Sequence, residues 1–339
     1  MDVVNVGIAG VGLYLPRQYV SAKEISGNTG GVWSEAAVID KLGIVKKTIA
    51  NENEGTQEMG YLAAKACIDD AGIDPNEIDV ILCIGEEYKE YPLTTSALYI
   101  QDKIGATRAW GIDVQNRCCT AVSAIKMAKD MLMADDELNT ALIAGGYRNG
   151  DFIDYKDNDV SFMFNLAAGG GAILLKKNLG KNLVLGSHII ADGSLARAAG
   201  VEIGGITNPI TTQNLEEAKK SLRLMDAAAM KARLNEVSMK NWHSCIDRAF
   251  AKSGIDKTQM DYLAILHIKR SAHNALLQEL GLTPEQSIYL EDYGHIGQVD
   301  QILSLKLALD AKKITDGSVI CLLSAGIGYT WAANVIKWG

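Results

Sequence analysis

The sequence lacks most features that mark membrane, disulfide-bonded or metal-binding proteins. No apolar run approaches the roughly 18 residues that a membrane-spanning helix requires, and the first residues lack the basic segment of a signal peptide. No two cysteines show CxxC spacing and no histidine cluster lies near them, which argues against a zinc site and a disulfide framework. These absences predict a cytoplasmic protein with no membrane partner and no metal. The six cysteines are Cys67, Cys83, Cys118, Cys119, Cys245 and Cys321.

Basic residues are scarce relative to acidic ones. The formal net charge is −8, whereas a nucleic-acid-binding face needs a surplus of lysine and arginine. Proline is also scarce, with 5 in 339 residues. Apolar residues make up 48% of the chain and charged residues 22%, which is typical of a soluble enzyme rather than of a disordered or fibrous chain. We therefore expect an enzyme without a nucleic-acid partner.

The two halves of the chain share a repeated pattern. Residues 71–84 and 253–266 both read as a helix end, a Gly-Ile-Asp turn and a short β run, with identical spacing. A helix followed by a β run at 124–145 likewise matches 304–325. Several β runs are nearly all apolar, as sheets covered by helices on both faces require. The sequence predicts an α/β protein with layers α/β/α/β/α, built from two duplicated halves at residues 1–178 and 179–339.

Cys118 lies where a β-rich stretch turns into an apolar-periodic helix. A sulfur at a helix N-terminus faces unsatisfied backbone N–H groups and the positive end of the helix dipole, which favour thiolate over thiol. Two interpretations fit this position equally well. Cys118 is an activated nucleophile, or Cys118 and Cys119 are small apolar residues that pack the start of the helix.

Two of the five histidines occupy positions that the repeat relates to Cys118. His267 closes the β run equivalent to the one that ends at Gly85, and His295 precedes the helix equivalent to the one that begins at Cys118. Equivalent loops of a duplicated fold converge at its pseudo-twofold axis, so both histidines are expected to face the cysteine. A lone histidine at a strand end is more often structural, but two such placements favour a shared site.

A set of short motifs is distributed along nearly the whole chain. They are GIAGVGLYLP at 7–16, KLGI at 41–44, DVQNRC at 113–118, ADGS at 191–194, LH at 266–267, YGH at 293–295 and GIGYTW at 326–331. Together these motifs resemble the thiolase-like condensing enzymes, and most closely β-ketoacyl-ACP synthase III. The resemblance implies a thiolase-like fold and a cysteine that is acylated by an acyl thioester. It further implies that a malonyl thioester is decarboxylated to an enolate, which attacks the acyl-enzyme.

The resemblance implies roles for individual residues. Cys118 matches the nucleophile and His267 the family histidine, while His295 falls where synthase III has asparagine and looks more like the Gly-His motif of elongating synthases and thiolases. The amides of Cys118 and Ile327 would form the oxyanion hole. The family usually has a glycine at Ile327, and a Gly-rich turn between strands needs no function.

A second departure from synthase III lies in the segment Gly85-Glu86-Glu87, which resembles 3-hydroxy-3-methylglutaryl-CoA synthase. There a glutamate is the general acid/base, and Glu87 is the better match for it. Two interpretations are equally weighted: Glu87 deprotonates an acyl-CoA, or both glutamates are surface charges. A third departure is Asn165, where the family typically shows an acidic residue before its glycines.

The resemblance also implies the substrates and partners. We expect no tightly bound cofactor, with thioesters of coenzyme A or phosphopantetheine as substrates: an acyl-CoA, and malonyl-ACP or malonyl-CoA. Lys41, Lys269 and Arg270 would bind the phosphate end, and an acyl carrier protein would be a partner. A homodimer in fatty acid biosynthesis and lipid metabolism is the expected context.

Three other functions remain open at this stage. One is a non-decarboxylating condensation that uses Glu87 as base. Another is a non-catalytic partner subunit of a heteromeric condensing complex, suggested by Arg117, Ile327 and the two glutamates. The third is a thioester hydrolase or an oxygen-acyl transferase, because a fold does not determine the second half-reaction.

Overall fold

The computed structural model describes residues 4–339, which form a mixed α/β fold with one nine-stranded sheet. No helix in that part of the chain is both long enough and apolar enough to cross a bilayer. The strands are β1 (Val6–Tyr14), β2 (Gln18–Ser21), β3 (Lys46–Ile49), β4 (Val80–Cys83), β5 (Trp110–Asp113), β6 (Thr140–Tyr147), β7 (Gly169–Lys177), β8 (Leu183–Ala191), β9 (Ala199–Val201), β10 (Leu222–Leu224), β11 (Tyr262–Ile265), β12 (Val319–Gly326) and β13 (Thr330–Lys337). The α-helices are α1 (Ala22–Asn28), α2 (Glu35–Ala37), α3 (Thr56–Ala71), α4 (Ser96–Ile104), α5 (Thr120–Ala134), α6 (Leu215–Ala218), α7 (Ala227–Ser253), α8 (Arg270–Glu279) and α9 (Asp300–Asp310).

The strand order shows the internal duplication directly. The sheet runs β11-β12-β13-β8-β1-β7-β6-β4-β5, and β4-β6-β7-β1 has the same pairing as β11-β12-β13-β8. In each set the first pair is parallel and the next two pairs are antiparallel. The two sets meet where Gly7 of β1 pairs with Leu183 of β8. The duplicated architecture expected from the repeat is therefore confirmed.

Alternate residues of the strands face different helical layers, as a period of two requires. On β4, Val80 and Leu82 pack with the central helices α5 and α9, whereas Ile81 and Cys83 pack with α3 and α4 on the outer face. On the other half of the sheet, α7 and α8 form the opposite outer layer. The layers are thus α/β/α/β/α, as predicted. The predicted boundary between residues 178 and 179 falls between β7 and β8.

The fold brings equivalent ends of the two halves together. Helices α5 and α9 lie side by side in the central layer, and each is preceded by a short 3-10 turn, Arg117–Cys119 and Gly297–Val299. The segment that precedes each helix is therefore at the pseudo-twofold axis. This arrangement places Cys118 of the first half next to His295 of the second half.

Candidate active site

Cys118 lies in a sharp turn between β5 and α5. The preceding residue, Arg117, has φ +50°, a left-handed conformation that costs a non-glycine residue energy and is found at functional turns. The turn is held from the second half, because Ser324 Oγ of β12 donates to the Cys118 carbonyl at 2.7 Å. Cys118 is 8% exposed, so the nucleophile candidate is buried rather than on the surface.

A cysteine, a histidine and an aspartate form a continuous hydrogen-bonded row. Cys118 Sγ lies 3.1 Å from His295 Nε2, and His295 Nδ1 lies 2.5 Å from Asp300 Oδ2. Asp300 is fully buried and also accepts the backbone N–H groups of Ile296 and His267 at 2.7 Å. The carboxylate thus keeps the proton on Nδ1 and turns Nε2 towards the sulfur, the arrangement of a nucleophile–base–orienter triad.

The charge of His295 is set by competing effects. Burial opposes a charged imidazolium, but the Asp300 carboxylate and the Cys118 sulfur together hold the pKa of His295 well above its usual value. The imidazole can therefore accept the Cys118 proton and remain charged beside the thiolate, which is the reactive form of a cysteine nucleophile.

His267 is held in a different way, and within residues 4–339 its ring bonds to Asn165 and Gly43 rather than to Cys118. The Asn165 amide nitrogen lies 2.8 Å from His267 Nδ1 and 3.3 Å from the His267 carbonyl oxygen. A carbonyl oxygen only accepts, so the amide donates; Nδ1 is then unprotonated and Nε2 carries the proton. Nε2–H faces the Gly43 carbonyl at 3.0 Å. Burial lowers the pKa of His267 to about 4, so the ring is neutral.

Backbone amides available for an oxyanion lie next to the nucleophile. A Cβ atom added to Gly326 would lie 3.1 Å from Cys118 N and 2.8 Å from Asn116 O, so only glycine permits this close approach of β12 to the turn. Ile327 follows Gly326 directly, and within residues 4–339 neither Cys118 N nor Ile327 N makes a hydrogen bond. Two free N–H groups near the sulfur are what an oxyanion hole requires.

The structure separates the two glutamates that follow β4. Glu86 is 5% exposed and receives Arg117 Nη1 at 2.8 Å, whereas Glu87 is exposed and receives Nη2 at 3.0 Å. Burial raises the pKa of Glu86 despite the guanidinium. Burial, Cys118 and Glu86 also raise the pKa of Tyr147, whose ring centroid lies 6.2 Å from that of His295. Of the two glutamates, Glu86 is thus the buried one, and Glu87, the better match to the family motif, is exposed.

The three candidate phosphate-binding cations differ in availability. Lys41 is exposed on the π-helical turn Val38–Leu42, and Lys269 is exposed at the start of α8, which packs against that turn. Arg270 instead pairs with Glu291, and its guanidinium carbon lies 4.4 Å from the centroid of the Tyr289 ring. Lys41 and Lys269 thus lie on neighbouring elements, and within residues 4–339 neither forms an ion pair. Lys47, six residues after Lys41 in the sequence, is buried and cannot belong to a surface patch.

The site contains residues that the sequence did not single out for these roles. Asp300 orients His295, and Asn165, noted only as a departure, orients His267. The sequence contains a signal for Asp300. This aspartate begins an apolar helix, and a buried carboxylate needs a polar partner. His295, five residues earlier, is the nearest candidate in the sequence. Nothing in the local sequence indicates the Asn165 contact, since 102 residues separate it from His267.

Comparisons with known proteins agree with this geometry. Residues 112–193 match the family model described as 3-oxoacyl-[acyl-carrier-protein (ACP)] synthase III, and residues 250–338 match the model of its C-terminal part, together half of the chain. A β-ketoacyl-[acyl-carrier-protein] synthase III of Azobacteroides pseudotrichonymphae is 26% identical, with 100% of this chain and 99% of that protein covered. One from Agrobacterium fabrum is also 26% identical, with 98% of each covered.

Solved structures of synthase III proteins have a similar fold. The crystal structure of 3-oxoacyl-[acyl-carrier-protein] synthase III from Aquifex aeolicus superposes with a TM-score of 0.84 at 19% identity, covering 98% of this chain and 100% of that chain. The likeness extends over the complete layered fold, which includes both segments that carry the cysteine and the histidines.

Proposed function

This chain belongs to the 3-oxoacyl-[acyl-carrier-protein] synthase III family of thiolase-like condensing enzymes, and on that premise we propose how its own residues perform the condensation. The enzyme is an acyltransferase that joins an acyl group and a malonyl thioester by Claisen condensation. The observation that carries the residue assignment is the buried row Cys118, His295 and Asp300. It supplies a nucleophile, a base and an orienting carboxylate in contact with one another.

In the first half-reaction, Cys118 is the nucleophile. His295 Nε2 accepts the thiol proton, and the sulfur attacks the carbonyl carbon of an acyl thioester. The Cys118 and Ile327 amides stabilise the oxyanion of the tetrahedral intermediate. The intermediate collapses when the carbon–sulfur bond to the carrier breaks, and the imidazolium returns the proton to the leaving thiolate. The acyl group is then bonded to Cys118 Sγ.

In the second half-reaction, the two histidines have different tasks. A malonyl thioester loses carbon dioxide, and the electron pair of the broken bond forms an enolate whose oxygen needs hydrogen-bond donors. Neutral His267 carries its proton on Nε2. When the substrate enters, this N–H donates a hydrogen bond to the enolate oxygen in place of the Gly43 carbonyl. His295, which returned its proton to the carrier thiol in the first half-reaction, takes up a proton from solvent on Nε2 and is then the second donor. The enolate carbon attacks the acyl group, and Cys118 leaves as a thiolate.

The test of this function is the stoichiometry of the second half-reaction. Purified chain carrying one acyl group on Cys118 is mixed with malonyl thioester labelled at the free carboxylate. We expect one labelled carbon dioxide released per 3-oxoacyl product formed. Product formation with the labelled carbon retained would contradict the decarboxylative step.

A second candidate function rests on Glu86. A buried carboxylate with a raised pKa next to the nucleophile can take an α-proton from an acyl-CoA, which gives the enolate without decarboxylation. This is the 3-hydroxy-3-methylglutaryl-CoA synthase-like alternative, with Glu86 in the place of Glu87. In deuterium oxide, the enzyme would exchange α-protons of acetyl-CoA; Glu86→Gln would lose this exchange and Glu87→Gln would keep it. Absence of exchange in the unmodified enzyme rules the candidate out.

The substrates and partners are part of the proposal. Exposed Lys41 and Lys269 support binding of a phosphate-bearing coenzyme A or carrier-protein thioester with no tightly bound cofactor. A homodimer is supported by edge strand β5, whose Trp110 and Ile112 are 48% and 45% exposed. Sedimentation equilibrium that gives a monomer would contradict the dimer. An acyl carrier protein as partner, fatty acid biosynthesis and the cytoplasm remain predictions.

A further inference from the structure

Lys47 on β3 is a lysine in the interior of the protein. It is 1% exposed, and burial lowers its pKa to about 7. None of the carboxylates in residues 4–339 forms an ion pair with it; its Nζ instead donates to the carbonyls of Phe164 at 2.7 Å and Leu166 at 2.6 Å. Nζ also lies 5.3 Å from the centroid of the Tyr155 ring. An ammonium group is costly to bury, so its contacts need an explanation.

The two carbonyls that Lys47 binds flank Asn165. The Asn165 side chain fixes the tautomer of His267, and the Asn165 carbonyl accepts the backbone N–H of His295 at 2.8 Å. The backbone of Ala167 then donates to the His295 carbonyl at 2.9 Å. Residues 164–167, which we name the histidine support, therefore position both histidines of the site.

Strand β3 holds the histidine support and the His295 segment against each other. Thr48 Oγ1 donates to the Ala168 carbonyl at 2.6 Å, and the Thr48 backbone N–H donates to the Tyr293 carbonyl at 3.1 Å. Gly294 packs so closely that an added Cβ would lie 2.6 Å from Lys47 Cβ. The Lys47 ammonium is the contact that fixes the support on both sides of Asn165.

We propose that Lys47 is a positioning residue of this active site, which holds His267 in its Nε2–H tautomer and His295 beside Cys118 through the histidine support. Within residues 4–339 the Lys47 ammonium donates to the carbonyls beside Asn165 and to neither the nucleophile nor a histidine, so it acts through Asn165 and its neighbours. The inference rests on the proposed function, because it assigns Lys47 to the same histidines.

The test compares Lys47→Met with Lys46→Met, in which the neighbouring lysine of β3 is changed without touching the histidine support. Lys46 contacts Tyr19 on another part of the surface. A shift of reacting groups by about 1 Å costs up to roughly 100-fold in rate. We therefore expect Lys47→Met to lower kcat of condensation 10- to 100-fold with a smaller change in KM, and Lys46→Met to stay within about twofold. Equal rates in the two variants would overturn the proposal.

A double-mutant cycle shows whether Lys47 acts through Asn165. Lys47→Met should add less than about threefold to the loss already caused by Asn165→Ala. Losses that multiply in full would contradict the assignment. If Lys47→Met does not fold, Lys47→Gln is compared with Lys46→Met instead. Its side-chain amide is still a hydrogen-bond donor, so an intermediate loss of kcat is expected.

A spectroscopic readout is independent of turnover. Nitrogen-15 NMR of the His267 ring should show an unprotonated Nδ1 and a protonated Nε2 in the unmodified protein and in Lys46→Met. In Lys47→Met the two nitrogens should move towards averaged tautomer signals. Unchanged His267 signals in folded Lys47→Met would overturn the inference, whereas failure of the unmodified protein to acylate Cys118 would overturn the proposed function and leave this readout standing.

Discussion

At the scale of single residues, Asp300 determines what His295 can do. The carboxylate holds Nδ1–H of the imidazole and raises the pKa of the ring against the effect of burial. The imidazolium form is therefore present below the raised pKa and is lost as the pH rises through it. The pKa of His267 is lowered to about 4, so that ring is already neutral where the His295 imidazolium loses its charge at its raised pKa.

Replacing Asp300 with asparagine tests this assignment. The amide cannot stabilise the imidazolium, so the pKa of His295 should fall and the protonated form should be lost at a lower pH than in the unmodified enzyme. Loss of the orienting carboxylate costs up to about 10⁴-fold in the related Ser-His-Asp sites, so acylation of Cys118 should slow strongly. Nitrogen-15 NMR of His295 gives the titration and single-turnover acylation gives the rate.

The matched control for this variant is Asp310→Asn at the exposed end of the same helix. Within the described residues, the ion pair that Asp310 forms is with Lys306 on the helix surface, and such exposed pairs contribute little. The titration of His295 and the acylation rate should therefore be unchanged in Asp310→Asn. A His295 titration in Asp300→Asn that matches the unmodified enzyme would show that the carboxylate has no role in the row.

At the scale of elements, the sequence predicted most of what brings Cys118 and His295 together. The helix expected from residue 124 is part of α5, which begins at Thr120, and the one expected from residue 304 is α9, which begins at Asp300 and ends at Asp310. Periodicity locates a helix through its apolar face, but its ends depend on local hydrogen bonds. The early start of α9 is what buries Asp300 beside His295.

The orientation of His267 illustrates what the sequence could not predict. The repeat located the residue after β11, yet the direction of its ring depends on Asn165 and on the Gly43 carbonyl, which is 224 residues distant. The same holds for Glu86 and Glu87, because two adjacent residues after a strand point to different sides and only tertiary packing decides which one is buried. Long-range hydrogen bonds leave no local pattern in a single sequence.

At the scale of the whole molecule, duplication explains why the site exists where it does. Each half contributes the segment before a central helix, and the pseudo-twofold axis brings the cysteine of one half to the histidine of the other. The second half also supplies Gly326, whose lack of a side chain allows β12 to approach the nucleophile turn. Neither half contains a complete site, so we expect catalysis only from the complete layered fold.

That Cys118 carries the acyl group is tested by intact-mass spectrometry after incubation with short-chain acyl-CoA. We expect one acyl adduct per chain, absent from Cys118→Ala and retained when the adjacent buried Cys119 is changed to alanine. An adduct of the same mass that persists in folded Cys118→Ala would show that another residue is acylated.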